Sequence, residues 1–167
     1  MTPAVFLDRD GVINREVNLL HKIEDFELLP RVSDAVKHIN SSEFLAIVVT
    51  NQPVIARGLC SISELEEIHQ KMETLLGREG AKLDAIYYCP HHKDKGNAGE
   101  NHEYKIECEC RKPGVGMIKQ AEKDFNIDLD GSFIIGDSCR DILCGKNAGL
   151  KSVGLETGIG FSDWGCK

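Results

Sequence analysis

The stretch that decides the fold is VFLDRDGV, residues 5–12. Its apolar first half is typical of a buried strand, and Gly11 lets the chain turn out of a sheet. Asp8 and Asp10 are two residues apart, so an extended backbone sends both carboxylates out from the same side. One of them can act as a nucleophile while the other handles protons, provided that a cation controls their charge. The pattern predicts phosphoryl transfer, and a strand ending in a solvated Asp-Gly turn is the alternative.

Short apolar runs alternate with helical patterns along most of the chain. The runs predicted to be strands are 4–7, 44–49, 85–88, 132–135 and 152–155. The helical patterns lie at 62–75, 115–125 and 141–148, and Ser61 with Glu64 forms a capping-box start for the first of them. Strands that are apolar almost throughout suit a parallel sheet covered on both faces. We therefore predict an α/β, doubly wound fold, as a single domain over residues 1–167.

Polar side chains follow each of the first four predicted strands. In chain order they are Asp8 with Asp10, Thr50 with Asn51, the cluster that begins at Cys89, and Asp137. Ligands of doubly wound folds gather beyond the carboxyl ends of the strands. Four such ends in one chain favour a catalytic site over a set of solvated turns. Thr50 is suited to donate a hydrogen bond to a phosphoryl oxygen there, unless it is only a turn residue.

The charge balance limits the partners of the chain. The formal net charge is −7, so no general basic field attracts nucleic acid or an anionic membrane. A small anionic substrate would need local positive charge, which the neighbours Arg111 and Lys112 supply. No apolar run has the length of a membrane span, and no signal pattern opens the chain, so we expect a cytoplasmic location. The chain is either complete at Lys167 or a domain cut from a longer polypeptide.

Two kinds of metal site are predicted. Mg²⁺ prefers oxygen ligands and keeps several waters, so Asp8, Asp137 and one backbone carbonyl would suffice, with Asp141 in support. Zn²⁺ takes four soft ligands, and these are predicted to be Cys89, His91, Cys108 and Cys110, in the segment 89–110. His92 is a rival to His91, and clustered free thiols are the alternative.

The number of cysteines bears on their oxidation state. Seven cysteines in a chain without a secretion signal make a disulfide framework unlikely. We therefore expect reduced thiols or metal ligands.

Taken together, these motifs resemble those of the haloacid dehalogenase superfamily of phosphohydrolases. Its four signature elements correspond to Asp8 with Asp10, Thr50, Lys112, and Asp137 with Asp141. A narrower similarity, to the heptose bisphosphate phosphatases and their histidinol-phosphate phosphatase relatives, rests on five motifs. They are LDRDGVIN, VVTNQ followed by IARG, YYCPHH, the CxCRKPGxGM run and GDSxxDI. The similarity extends from about residue 4 to residue 160.

The resemblance implies a Rossmann-like sheet with a minimal cap and a zinc-bound loop. It implies that Asp8 is the nucleophile, Asp10 the acid and base, and that Thr50 and Lys112 contact the transferred phosphoryl group. Mg²⁺ would be held by Asp8, Asp137 and the carbonyl of Asp10, and Zn²⁺ by the four residues named above. The residues implied to contact the substrate are Glu16, Val17, Asn18, Leu19, Asn51, Gln52, Pro53 and Arg111.

The implied activity is Mg²⁺-dependent hydrolysis of a phosphate monoester of a sugar bisphosphate by a monomer. Histidinol phosphate is the alternative substrate, and a non-catalytic zinc-binding interaction or nucleic-acid module is the alternative from another class. Ser138 stands where some of these phosphatases have lysine, and Pro53 where a small polar residue or glycine is common. The zinc loop is also long. These departures bear on the identity of the substrate and leave the expected chemistry in place.

Overall fold

A five-stranded parallel sheet between two layers of helices forms the core of the protein. The computed structural model describes residues 1–96, 98–160 and 162. The strands are β1 (Ala4–Leu7), β2 (Leu45–Asn51), β3 (Ala85–Cys89), β4 (Phe133–Gly136) and β5 (Lys151–Gly154). The helices are α1 (Val32–Asn40), α2 (Ile62–Arg78), α3 (Gly116–Phe125) and α4 (Cys139–Ala148). The predicted fold class is confirmed.

The order of the strands explains where a ligand can bind. Across the sheet the order is β3-β2-β1-β4-β5, so the chain builds outward from β1 on one side and then from β4 on the other. Leu7 of β1 pairs with Ile135 of β4, at the point where this direction reverses. The loops that leave these two strands diverge there and open a crevice beyond the carboxyl edge. Asp8 and Asp137, which follow β1 and β4, are therefore neighbours.

The two faces of the sheet are covered by different helices, and this gives two apolar cores. On one face, Leu7 and Val48 pack with Ile68 and Met72 of α2 and with Val36 of α1. On the other face, the alternate strand residues pack against α3 and α4. This second core includes Phe6, Ile47 and Val49 of the sheet, and Met117, Ile118 and Cys144 of the two helices. Burial of consecutive side chains on opposite faces explains why the strands are apolar throughout.

Two features of the fold differ from the sequence-based expectation. Helix α1 was not predicted, because no capping residue marks its start in the sequence. Its N-cap is Arg31, which has a left-handed backbone and makes no side-chain cap. Val32, Val36 and Ile39 carried the only signal, a helical spacing of apolar residues that pack on the first core. Strand β5 is exposed along its length, since Val153 is its only large apolar residue and the strand lies at an edge.

The cysteines agree with the expectation of reduced thiols at five described positions. Cys60, Cys89, Cys108, Cys110 and Cys144 are free. Cys139, however, is disulfide-bonded, so the expectation is wrong there. Counting cysteines says nothing about which sulfurs the fold brings within bonding distance. Cys166 lies outside the described residues.

Across the part of the chain that the structure describes, no helix combines the length and the apolar character needed to cross a bilayer.

Candidate active site

A cavity of about 270 Å³ lies at the carboxyl edge of the sheet, where β1 and β4 diverge. Many of the residues singled out from the sequence line it: Asp8, Asp10, Glu16, Asn18, Leu19, Asn51, Gln52, Pro53, Arg111, Lys112, Asp137 and Asp141. Val17 is not among the lining residues and packs against the first apolar core. Thr50 is buried beside the cavity, where its hydroxyl accepts a hydrogen bond from Gln52 at 2.9 Å.

Lys112 joins three parts of the sheet edge through a single ammonium group. Its Nζ lies 3.0 Å from Asp8 Oδ1 and 2.6 Å from Asp141 Oδ1, and it donates to the carbonyl of Val49 at 2.8 Å. Three oxygens therefore surround the ammonium, two of them in ion pairs and one in a hydrogen bond. Burial lowers the pKa of Lys112, but the two carboxylates outweigh burial and the pKa is raised. Lys112 is therefore charged and rigidly placed.

Asn51 holds the backbone of Lys112. Its Oδ1 accepts from the Lys112 N–H at 2.9 Å, and its Nδ2 donates to the Lys112 carbonyl at 3.1 Å. The side-chain amide of Asn51 is thus used within the protein. Asn51 lines the cavity, and its side chain also positions the backbone of the lysine.

Asp8 has one oxygen engaged and one available. Its Oδ1 accepts from the backbone N–H of Arg9 at 2.7 Å and faces Lys112. Among the described residues, none makes a hydrogen bond to Oδ2. Burial raises the pKa of Asp8 to about 7 despite Lys112, and the carboxylates of Asp141 and Asp10 add to the rise. A further cation would lower this pKa and keep Asp8 ionised.

Asp10 lies in the opposite electrostatic environment. Burial raises its pKa, but Arg9 and the hydrogen bonds from Asn14 and Gln52 outweigh burial, so the pKa lies below its usual value. Arg9 donates to Asp10 Oδ1 through Nε at 3.2 Å and Nη2 at 3.0 Å, and Gln52 donates to Oδ2 at 2.9 Å. Asp10 is therefore ionised in this state of the protein. The neighbouring guanidinium of Arg9 is the main cause of this state.

Three carboxylates form a candidate magnesium site. One oxygen from each of Asp8, Asp137 and Asp141 lies within 4.8 Å of the others. Asp141 is committed elsewhere, because its Oδ2 accepts from the N–H and hydroxyl of Ser138 at 3.1 and 2.6 Å. Three carboxylates facing one ammonium leave two negative charges uncompensated if all are ionised. Hard oxygen donors with this excess charge fit a divalent cation such as Mg²⁺.

Gly11 allows the β1 and β4 loops to approach each other. Its φ is +79°, and a Cβ at this position would collide with the carboxylate of Asp137 and with Gly158. Asp137 itself is buried, which raises its pKa to about 6, and its Oδ2 accepts from the N–H of Ile159 at 2.8 Å. The glycine that signals a turn in the sequence thus also brings the two predicted magnesium ligands together.

The four predicted zinc ligands lie together at the end of β3. Their ligand atoms are all within 4.8 Å of one another, and the set is Cys89, His91, Cys108 and Cys110. The Sγ atoms of Cys89 and Cys110 are 2.9 Å apart, and His91 Nδ1 is 3.4 Å from Cys110 Sγ. Three thiols and one imidazole in this arrangement match the donor set of a structural zinc site. His92, the rival ligand, lines the active-site cavity instead.

The loop between the two halves of this cluster is held by internal contacts. The side chain of Lys105 is fully buried, 3.1 Å from Glu100 Oε2, and it donates to the carbonyl of Asp94 at 2.6 Å. Asn101 donates from its backbone to Ala56 at 3.0 Å, which fixes the loop to the turn after β2. Arg111 then donates to the carbonyl of His91 at 3.3 Å. The metal cluster, its loop and Arg111 therefore form one connected structure.

Several residues of the site were missed by the sequence reasoning. The cavity is also lined by Arg57, Arg140 and Ile159, which had no assigned role. His92 and Ser138 line it as well, although the sequence pointed to them only as a rival zinc ligand and as a departure from the family pattern. Arg57 lies within IARG, so it belonged to a recognised motif without an assigned role. Arg140 carried no signal beyond its place in the turn of the helix after Asp137.

Comparison with known proteins places this geometry in a family. A family model described as HAD-hydrolase-like matches residues 109–164. A D-glycero-beta-D-manno-heptose-1,7-bisphosphate 7-phosphatase of Haemophilus ducreyi is 41% identical over 157 residues, which are 93% of this chain and 84% of the relative. A D-glycero-D-manno-heptose-1,7-bisphosphate 7-phosphatase of Thermosynechococcus vestitus is 38% identical, over 95% of this chain and 81% of the relative.

A solved structure gives the same result. The D,D-heptose 1,7-bisphosphate phosphatase of B. bronchiseptica, crystallised with magnesium and phosphate, matches with a TM-score of 0.82 and 33% identity. The match covers 95% of this chain and 83% of that one. The fold, the carboxylates at the strand ends and these relatives define a phosphatase of the haloacid dehalogenase class. Within that class, the chain belongs to the family of the heptose-1,7-bisphosphate 7-phosphatases.

The buried Lys105 predicts how the metal loop responds to mutation. Lys105→Met takes the cation away from the Glu100 carboxylate, whose side chain is only 8% exposed. Breaking a buried ion pair costs about 3 kcal/mol, so the loop should open more often. Limited proteolysis within 89–110 should become about tenfold faster or more. Lys95→Met, at an exposed position of the same loop, is the control, and equal cleavage of both variants would contradict the role of Lys105.

Proposed function

We propose that this chain removes the 7-phosphate from D-glycero-D-manno-heptose 1,7-bisphosphate, through an aspartyl phosphate formed on Asp8. The observation that carries the proposal is the set of Asp8, Lys112 and Asp137 at the carboxyl ends of β1 and β4. The substrate is suggested by the names of the relatives and by the cationic wall of the cavity. In this proposal the chain acts on a small anionic sugar phosphate, in the cytoplasm.

The nucleophile is assigned to Asp8 because one of its oxygens is fixed and the other is available. Lys112 and the N–H of Arg9 hold Oδ1, so Oδ2 is the oxygen placed to attack phosphorus in line. Attack forms the P–O bond to Asp8 and breaks the bond from phosphorus to the sugar oxygen. Lys112 also neutralises charge on the transferred group.

Thr50 is suited to bind a phosphoryl oxygen. Gln52 donates to its Oγ1, which occupies an acceptor site and leaves the hydroxyl hydrogen free to donate. Because Gln52 donates to Asp10 as well, one amide fixes the relative positions of both residues. We propose that this amide fixes the distance between Asp10, which acts as acid and base, and Thr50, which donates to the phosphate.

Asp10 is proposed to acquire its proton after the substrate binds. The negative charge of the phosphate raises the pKa of a nearby carboxyl group, which opposes the effect of Arg9. Asp10 then donates to the departing sugar oxygen, and the resulting carboxylate takes a proton from the water that hydrolyses the aspartyl phosphate. Phosphate leaves and Asp8 is regenerated.

The cation sites are proposed from their donors. Asp8, Asp137 and the backbone carbonyl of Asp10 would hold Mg²⁺, which when bound supplies charge that keeps Asp8 ionised and offsets the charge of the phosphoryl group. Asp141 supports this set by fixing Lys112 and Ser138. Cys89, His91, Cys108 and Cys110 would hold a structural Zn²⁺, which fixes the base of the loop and hence the carbonyl that orients Arg111.

The cavity wall favours a substrate with two anionic ends. Three arginines line it: Arg57, Arg111 and Arg140. Burial is the largest cause that lowers the pKa of Arg111, and the positive charges of Arg140 and Arg57 lower it further. A second phosphate would balance this concentration of positive charge, whereas the ammonium of histidinol phosphate would be repelled. Glu16 is the observation in favour of histidinol phosphate, because its half-buried carboxyl lines the same cavity.

A substrate panel with Mg²⁺ tests the proposal. Phosphate release should be measured with both anomers of heptose 1,7-bisphosphate, with heptose 7-phosphate and with histidinol phosphate. We expect a bisphosphate to be preferred over the 7-monophosphate by about tenfold or more in kcat/KM, because only the former engages the arginines. Release from histidinol phosphate alone would overturn the proposed substrate.

Asp8→Asn should abolish turnover. The amide is nearly the same size as the carboxylate but is not a nucleophile toward phosphorus, so kcat should fall by about 10³-fold or more. Circular dichroism should be unchanged, since the substitution preserves the shape of the side chain. An active Asp8→Asn enzyme, checked by mass spectrometry for deamidation, would exclude Asp8 as the nucleophile.

Cys108→Ser should remove the zinc and weaken the substrate loop. Metal analysis should find about one zinc per wild-type chain and little in the variant. We expect kcat/KM to fall by about tenfold, because the loop no longer fixes Arg111. Cys60→Ser, which changes a free cysteine outside the cluster, is the matched control. Full activity and an unchanged melting temperature without metal would make the cluster incidental.

A further inference from the structure

Arg9 is completely buried beside the proposed acid and base. Its exposed fraction is 0%, and its guanidinium lies between Asp10 and His69. One edge, formed by Nε and Nη2, donates to Asp10. The remaining nitrogen, Nη1, lies 3.3 Å from Nε2 of His69. A guanidinium is planar and its donors form a rigid fork, so contacts on two sides fix its orientation.

His69 comes from the middle of α2, sixty positions from Arg9 in the chain. It is 6% exposed and its ring packs against Tyr88, with the centroids 5.5 Å apart. Burial and the neighbouring Arg9 lower its pKa to about 3, although Asp10 acts in the opposite direction. The imidazole is therefore neutral. Its Nε2 can accept from Arg9 only if the ring proton is on Nδ1.

We propose that His69 is a positioning residue for the proton transfers at Asp10, and that it acts through Arg9. By accepting from Nη1, His69 holds the guanidinium in the plane in which Nε and Nη2 meet the Asp10 carboxylate. Without that acceptor, a buried N–H of Arg9 loses its partner at this position, and the guanidinium is less firmly oriented toward Asp10. The inference rests on the role of Asp10 in the proposed function.

The expected effect is on turnover rather than on substrate binding. His69 is not among the residues that line the cavity, so it does not touch the substrate. Misplacement of Asp10 slows protonation of the leaving oxygen and activation of water, both of which follow binding. A residue that merely filled the core would instead change stability and leave the kcat of the folded enzyme unchanged.

Two substitutions separate these roles. His69→Phe keeps an aromatic ring against Tyr88 and removes the acceptor, whereas His69→Gln retains an acceptor oxygen. We expect His69→Phe to lower kcat by about tenfold or more with KM within about twofold, and His69→Gln to recover most of the loss. Wild-type kcat in folded His69→Phe, or equal losses in both variants, would overturn the proposal. If His69→Phe does not fold, His69→Leu replaces it.

A double-mutant cycle tests whether His69 acts through Arg9. In an Arg9→Lys background the fork is already lost, so His69→Phe should lower kcat little further. The same proportional loss in both backgrounds would show that His69 acts by another route, and would overturn the proposal.

The outcome is separable from that of the proposed function. Kinetics are measured on heptose 1,7-bisphosphate and also on an alkyl phosphate such as glycerol 3-phosphate, whose leaving oxygen likewise needs a proton, so failure with the heptose leaves the comparison of variants readable. A ¹⁵N NMR measurement gives a readout independent of activity. The N–H signal of Arg9 Nη1, the nitrogen that faces His69, should be protected from exchange in the wild type and in His69→Gln. Protection should be lost in His69→Phe, and equal protection in all three would contradict the inference.

Discussion

The site depends on one buried ammonium group, that of Lys112. It binds the carboxylate after β1, the carbonyl of Val49 near the end of β2 and the carboxylate of Asp141 in α4, so one cation holds three parts of the sheet edge together. Burying a charge without partners is costly, and here two carboxylates and a carbonyl surround the charge. Asn51 fixes the backbone of the same residue. Lys112 follows Cys110, the last residue of the Cys/His cluster, by two positions. The position of that cluster therefore restricts where Lys112 can lie relative to the carboxylates.

Two acids that are two positions apart in the sequence have opposite environments. Burial raises the pKa of Asp8 to about 7, whereas Arg9, Asn14 and Gln52 hold the pKa of Asp10 low. The proposed mechanism uses the reverse arrangement, an ionised Asp8 and a protonated Asp10, and the proposed cation and anionic substrate shift the two pKa values in those directions. A cation lowers the pKa of Asp8, and a phosphate raises that of Asp10. The proposed Mg²⁺ and phosphate thus supply the charges that give Asp8 and Asp10 the protonation states needed for the proposed reaction.

Much of the fold could be predicted because apolar runs and strand-end residues are local signals. The β1 bounds, the Ser61 capping box and the paired Cys-x-His and Cys-x-Cys segments needed no knowledge of distant contacts. Helix α1 was missed because it lacks a capping side chain. The partners of Arg9 and the arginine wall of the cavity could not be predicted either, since only the folded chain brings them together. Likewise, one of the hydrogen bonds that help to keep Asp10 ionised comes from Gln52, which is 42 positions away.

The central claim is that the phosphoryl group passes through Asp8. It is tested most directly by mixing enzyme, Mg²⁺ and substrate, quenching within the first turnover and reducing the protein with borohydride. Reduction converts an aspartyl phosphate to homoserine, which peptide mass spectrometry can locate. We predict homoserine at position 8, dependent on both Mg²⁺ and substrate. Homoserine at position 10 or at any other acid, or a first turnover that releases phosphate with no protein-bound phosphate at any quench time, would contradict the account.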